Sequence, residues 1–309
     1  MADFRWHPGQ LTENHALGSH VGKVAVITGA ATGIGLATAS LLSQQGARVI
    51  AVDIDGAALH RNCRHLSELQ IVHDMAGKTT DLVAAIESFG EIPQILVNNV
   101  GIAANRAFLD LSEEGMEQSW RTNVLGPLSL TRSIVRALID SDRDGSVLFV
   151  SSLHSTSVRR SLDYSMSKAA IAMAVRELAA ELGPHRIRVN AVSPGDIHSD
   201  PIKNPLTDRV RRLREQVIPL DRLGTSSDIA QAILFLTNDA AASYITGADL
   251  VIDGGLSTTN WITTSSMRLS ALKEDIADVP PTPENQSRGA RPLAKTRALF
   301  NSRRRSPSS

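Results

Sequence analysis

The 309-residue sequence predicts a doubly wound α/β domain, a single parallel sheet of about seven strands with helices on both faces. Three observations predict it. Short apolar runs alternate with helical patterns from about residue 23 to residue 253, most of these runs are apolar along almost their whole length, and the first ends in a glycine-rich turn leading into a helix. Strands buried on both faces read as near-continuous apolar runs, which is the habit of a parallel sheet covered by helices.

The elements follow in chain order. "KVAVITG" (23–29) is a β-branched run stopped by glycine, and "LATASLLSQQG" (36–46) has helical spacing that ends at Gly46, a C-terminal cap signal. "ARVIAVDID" (47–55), "QIVHDM" (70–75), "PQILVNN" (93–99), "GSVLFVSS" (145–152), "IRVNAVSP" (187–194) and "ADLVID" (248–253) read as six further strands. Helical stretches separate most of them, including 112–139, 164–182 and 226–238. The chain carries no internal repeat.

Composition narrows the function classes. Hydrophobic residues make up 42%, enough for a sizeable core, but aromatics are only 4%, so aliphatic side chains do most of the packing. A formal net charge of zero argues against a general nucleic-acid binder. The lone Cys63 excludes an internal disulfide and a cysteine metal cluster, and no metal site is expected. The N-terminal stretch 1–20 has no signal-peptide core, and no apolar run reaches membrane-spanning length, so a soluble, cytoplasmic protein is expected.

After "DGG" (253–255) the composition shifts to Ser, Thr, Pro and Arg. Residues 256–309 hold 9 Lys/Arg and 4 Asp/Glu, a net of +5 that balances −5 in residues 1–255. The expected organisation is an N-terminal arm (1–20), a catalytic domain (21–255) and a solvated C-terminal extension, disordered from about Pro280.

"TGAATGIG" (28–35) joins the first strand to the first helix. Gly29 suits the tight turn, Gly33 lets phosphates approach the backbone and Gly35 permits close helix packing, with Thr32 and Ile34 between them. The helix N-terminus beyond offers free N–H groups and a positive dipole end to a pyrophosphate. Asp53, about 20 residues on at the end of the second strand, can accept both adenosine ribose hydroxyls, and its charge would repel a 2′-phosphate. Neither Thr32 nor Ile54 is basic, so NAD is expected over NADP. These features make the expected fold Rossmann-type.

In "DYSMSKAAIA" (163–172), Tyr164 and Lys168 stand four residues apart on one helix face, with Ser165 and Ser167 turned aside. A free phenol has a pKa near 10 and is a poor base at neutral pH, whereas a neighbouring ammonium favours phenolate. The spacing suits a proton-transfer pair. It equally suits a packed ring beside a lysine stem, and only its company decides.

Taken together, "TGAATGIG", "NNVG" (98–101), "VSS" (150–152), "YSMSK" (164–168), "SPGDIHS" (193–199) and "SYITGADLVIDGG" (243–255) resemble, in order, the motifs of the short-chain dehydrogenase/reductase family. The resemblance spans about residues 21–255, with Val100 and Ser199 replacing the usual alanine and threonine. It implies hydride transfer between nicotinamide and a secondary alcohol or ketone, with Tyr164 as acid–base and Lys168 holding the nicotinamide ribose. Asn123 in "RTNVLG" (121–126) would anchor a water of the proton relay. Asn99 would contact the adenosine ribose, and Asp74 with Met75 the adenine. Ile197 would contact the carboxamide, and Gly101 and Ser199 join the cofactor set.

A serine would bind the substrate oxygen. Ser151 lies the family's usual thirteen residues before the tyrosine, but alignment from the start of the strand selects Ser152, which is the expectation here. Substrate identity is expected in 102–110, 153–163 and 200–220. His154 is read as lining the pocket, and one of Arg159–Arg160 is a candidate anion contact beside the duller reading of a surface pair. Arg209, Arg211, Arg212 and Arg214 read as the coat of a lid helix. The expected partners are a small-molecule substrate and further copies of this chain, as a tetramer or dimer through the helices near 112–139 and 164–182 and the last strand. The competing reading is a dinucleotide-binding sensor that keeps the fold without turnover.

Overall fold

Side chains alternate across a strand, so a strand buried on both faces feeds two separate cores. A computed structural model of the chain describes residues 20–158, 161–198 and 206–258, and it shows that division. The strands are β1 (Val24–Thr28), β2 (Arg48–Asp53), β3 (Leu69–Val72), β4 (Ile95–Asn98), β5 (Gly145–Val150), β6 (Ile187–Pro194) and β7 (Asp249–Ile252). They form one sheet in the order β3-β2-β1-β4-β5-β6-β7, parallel throughout. All seven sequence-predicted strands are present: β6 keeps its full length, β3 begins one residue earlier at Leu69 and ends at Val72, and the others are trimmed toward their apolar centres.

The helices are α1 (Gly33–Gln44), α2 (Gly56–Cys63), α3 (Thr79–Glu87), α4 (Glu113–Trp120), α5 (Gly126–Asp140), α6 (Leu162–Leu182), α7 (Asp208–Glu215) and α8 (Ser226–Thr237). Val24, Val26, Val147 and Phe149 pack with Leu82 of α3, Leu130 of α5 and Val175 of α6. Ala25, Ile27, Leu148 and Val150 face the other way, onto Leu42 of α1, Leu59 of α2 and Ile233 of α8. The doubly wound expectation is met, and α2 and α3 are helices that the sequence reading did not single out.

The expected helical stretch at 112–139 consists of two helices joined by a π turn, Arg121–Leu125. The cause is local. In a continuous α-helix the N–H of residue 127 would bond to the carbonyl of residue 123, and Pro127 has no N–H. The Gly126 N–H bonds to the Arg121 carbonyl, five residues back, and the turn widens. Gly126 is also fixed sterically, because a Cβ there would lie 2.1 Å from the Met75 carbonyl oxygen.

Below the sheet, His20 is buried and its Nε2 lies 3.1 Å from the Thr237 hydroxyl. Burial, reinforced by the Lys23 charge, pushes its pKa down to about 4 despite Asp239 nearby. Between that value and the unfolded value of about 6.5, the unfolded chain binds the proton and the native chain does not. Stability therefore rises with pH across this window and is lost as the pH is lowered through it. From pH 7 to pH 5 the protein is expected to lose about 2 kcal/mol more than His20→Gln. Urea titrations of both proteins at the two pH values check this, and parallel losses would refute it.

No described helix is long and apolar enough to cross a membrane. The expectations for residues 1–19 and for the C-terminal extension beyond residue 258 lie outside the described residues.

Candidate active site

The strand order reverses between β1 and β4, and at such a point the loops at the carboxyl ends of the strands diverge and leave a crevice. A cavity of about 580 Å³ occupies that place. The glycine loop and the ends of β2 and β3 line one end, and Tyr164, Lys168 and the serines after β5 line the other.

At the first end, Gly29 adopts φ +67°, which favours glycine, and carries the chain out of β1. A Cβ on Gly35 would lie 2.0 Å from the Gly29 carbonyl oxygen, so no side chain fits where the helix meets the turn. The Asn99 amide donates to the carbonyls of Thr28 (3.0 Å) and Gly29 (3.2 Å) and braces this turn. Thr32 occupies the N-cap of α1 without a side-chain cap bond, which leaves the first N–H groups of the helix to an anion. Gly33, Ile34, Asp74 and Met75 line the same end.

Asp53 Oδ2 accepts the Ala31 N–H (2.9 Å) and Oδ1 accepts the Asp55 N–H (3.0 Å), so the loop itself orients the carboxylate. A carboxylate has further lone pairs to offer a pair of hydroxyls. Among the described residues, Lys168 and Arg214 are the only lysine or arginine that line the cavity, and neither belongs to the glycine loop or the ends of β2 and β3. The residues at this end fit a dinucleotide cofactor.

At the other end, the first turns of α6 bring Tyr164 and Lys168 together, with the ammonium nitrogen 5.5 Å from the centroid of the tyrosine ring. Lys168 is 4% exposed and donates to the Val150 carbonyl at 2.7 Å. Burial pushes its pKa down to about 8. Ser151 and Ser152 both line the cavity. The Ser151 hydroxyl donates to the Lys168 carbonyl (3.4 Å), whereas the Ser152 hydroxyl accepts the His154 N–H (3.1 Å). Ser152 thus keeps its proton to donate elsewhere, while that of Ser151 is engaged. His154, Gly101 and Ile197 also line the cavity.

Asn123 stands behind the wall. Its amide donates to the Ile102 carbonyl (2.8 Å) and the Ser167 hydroxyl (2.9 Å), and its oxygen accepts the Ile102 N–H (2.8 Å). Ser167 therefore turns away from the cavity but into a buried network, donating in turn to the Tyr164 carbonyl (2.7 Å). The Arg214 guanidinium, at the end of α7, lines the cavity and forms a two-pronged ion pair with Asp196. This departs from its reading as a helix coat. Ser199, Arg159 and Arg160 lie outside the described residues, as do residues 200–205 of the expected lid. No group of three metal-ligating side chains occurs among the described residues.

Sequence reasoning missed Asp163. It is 5% exposed and accepts the Ser119 hydroxyl (2.6 Å), the Ala104 N–H (3.0 Å) and the Ser161 hydroxyl (3.1 Å). Burial raises its pKa, but these bonds and the Tyr164 N–H more than offset that and hold it below the usual carboxylate range. The available signal was an acid beside Tyr164 in the first turn of a helix, where acids are commonplace.

The glycine turn, the strand-end acid and the switch-point crevice define a dinucleotide-binding α/β protein. Residues 29–257 match a family model described as enoyl-(acyl carrier protein) reductase. The chain belongs to the short-chain dehydrogenase/reductase family. It is 34% identical over 250 residues to an L-rhamnose 1-dehydrogenase (NAD(P)+) of Sphingomonas sp., covering 76% of this chain and 96% of that protein. It is 36% identical to an NAD-dependent glycerol dehydrogenase of Listeria innocua, over 75% of this chain and 93% of the relative. A crystal structure of a 3-ketoacyl-(acyl-carrier-protein) reductase from Brucella melitensis with NADH superposes with a TM-score of 0.69 at 31% identity, covering 77% and 99% of the two chains.

Proposed function

We propose that this chain is an NAD-dependent oxidoreductase that interconverts a secondary alcohol and a ketone, with Tyr164 as general acid–base. The observation that carries the reading is one cavity lined at one end by the glycine loop and Asp53 and at the other by Tyr164, Lys168 and Ser152. When bound, the nicotinamide ring supplies the acceptor or donor of hydride. In the oxidation direction the Tyr164 oxygen takes the proton of the substrate alcohol, and the Ser152 hydroxyl donates to the substrate oxygen and fixes its position. Lys168 holds a cation beside the tyrosine ring. Asn123 fastens Ile102 and thereby the wall of the substrate end. Asp53 receives the adenosine ribose hydroxyls, and among the described residues no lysine or arginine lines the glycine-loop end to welcome a 2′-phosphate. Exposed Leu250 and Val251 on the edge strand β7 support assembly with further copies of this chain.

The test is a panel of glycerol, L-rhamnose and a 3-oxoacyl thioester, each assayed with NAD(H) and NADP(H) at the NADH absorbance band. Turnover with at least tenfold preference for NAD(H) is expected. Intact NAD binding with no turnover anywhere would favour a dinucleotide sensor. Asp53→Ala removes charged hydrogen bonds to two hydroxyls, so kcat/KM for NAD should fall about 10- to 100-fold. The value for NADP should stay the same or rise, and equal losses with both cofactors would remove Asp53 from the discrimination.

A further inference from the structure

The loop after β4 borders the substrate end of the cavity through Ile102, and two side chains grip its backbone. Asn123 takes both hydrogen-bonding groups of Ile102, and Asp163 takes the N–H of Ala104. Asp163 is thus the direct link between this loop and the first turn of the helix that presents Tyr164. It also accepts from Ser119 on α4, the helix that leads into the π turn of Asn123. Three segments that must keep register around a reacting alcohol therefore meet at one buried carboxylate.

The chemistry of that meeting point is specific. Ala104, Ser119 and Ser161 all donate to Asp163, and an ionised carboxylate is the side chain that only accepts. Hydrogen bonds to a buried charge are short and strong, and the 2.6 Å contact from Ser119 is of this kind. An uncharged amide of the same shape would turn an N–H₂ group toward donors. A buried carboxylate is stable only when fully bonded, and the bonding here more than offsets its burial. The result is a fixed distance between loop and tyrosine.

We propose that Asp163 is a positioning residue for substrate: it sets the 102–104 segment against Tyr164, so that the alcohol or ketone is held in register with the proton-transfer group. This rests on the reading of Tyr164 as acid–base.

The experiment compares the full-length parent, Asp163→Asn, Ser119→Ala and Tyr164→Phe with the best substrate of the panel and with NADH titrated by fluorescence. Asp163→Asn should lower kcat/KM for that substrate about 100-fold, mainly through KM, and change the NADH dissociation constant by less than about twofold. Ser119→Ala removes one donor and keeps the charge, and should lose about tenfold in the same parameter. If Asp163→Asn fails to fold, Ser119→Ala decides by the same split between substrate and NADH. Substrate kinetics unchanged in the folded variants would overturn the proposal. So would equal losses of substrate and NADH affinity, which mark a residue that only holds the fold. If Tyr164→Phe stays active, the acid–base reading itself has failed; if it is inactive while the Asp163 and Ser119 variants match the parent, only the positioning role has.

Discussion

Tyr164→Phe is expected to lower kcat/KM by about 10³-fold while leaving the NADH dissociation constant within about twofold. The ring is retained, so the contact with the Lys168 ammonium and the packing of the first turns of α6 remain. Only the phenolic oxygen is lost. Steady-state kinetics, NADH fluorescence titration and circular dichroism on the same preparation check the three parts of this expectation. Residual activity above about a tenth of the parent would move the proton-transfer role to another group.

Lys168→Met is expected to inactivate the enzyme and at the same time stabilise the cofactor-free protein. The ammonium is buried, and its pKa of about 8 lies well below that of a solvated lysine. That difference corresponds to about 3 kcal/mol of disfavour for the charged form in the native state. Methionine removes this cost but also the hydrogen bond to the Val150 carbonyl, which costs about 1–2 kcal/mol. A net gain of about 1–2 kcal/mol raises Tm by a few degrees. Between pH 8 and about 10.5 the unfolded chain holds the proton and the native chain has released it, so the parent gains stability as pH rises through that window. The advantage of the variant is therefore largest at and below pH 8 and fades toward pH 10. Thermal melts of both proteins across that range test it, and a constant difference would show that the charge is not the cause.

The strands were legible because burial on both faces leaves few polar positions in them. "VAVIT" and "VLFV" have no other soluble use than the centre of a covered sheet. Tyr164, Lys168 and the glycine turn were legible because local spacing on one helix or one loop fixes them. What stayed hidden depends on long-range neighbours. Asp163 looks like any acid in a first helical turn, and only the arrival of Ala104 and Ser119 from distant segments makes it a buried hub. Arg214 could not be separated from three nearby arginines until Asp196 stood opposite it. Ser151 and Ser152 are chemically identical, and their difference is whether each hydroxyl gives or receives a hydrogen bond in place.

The π turn at Arg121–Leu125 constrains the chain by length more than by composition. Each residue of a helix advances the direction of its side chains by about 100°. Loss of Arg121 or Thr122 would rotate Ser119 by about that angle relative to Asn123. Conservative changes of Arg121 or Leu125 leave the count intact and should be absorbed. In related sequences, insertions and deletions should therefore cluster before Glu113 or after Asp140 and avoid the stretch between, even where its residues vary freely.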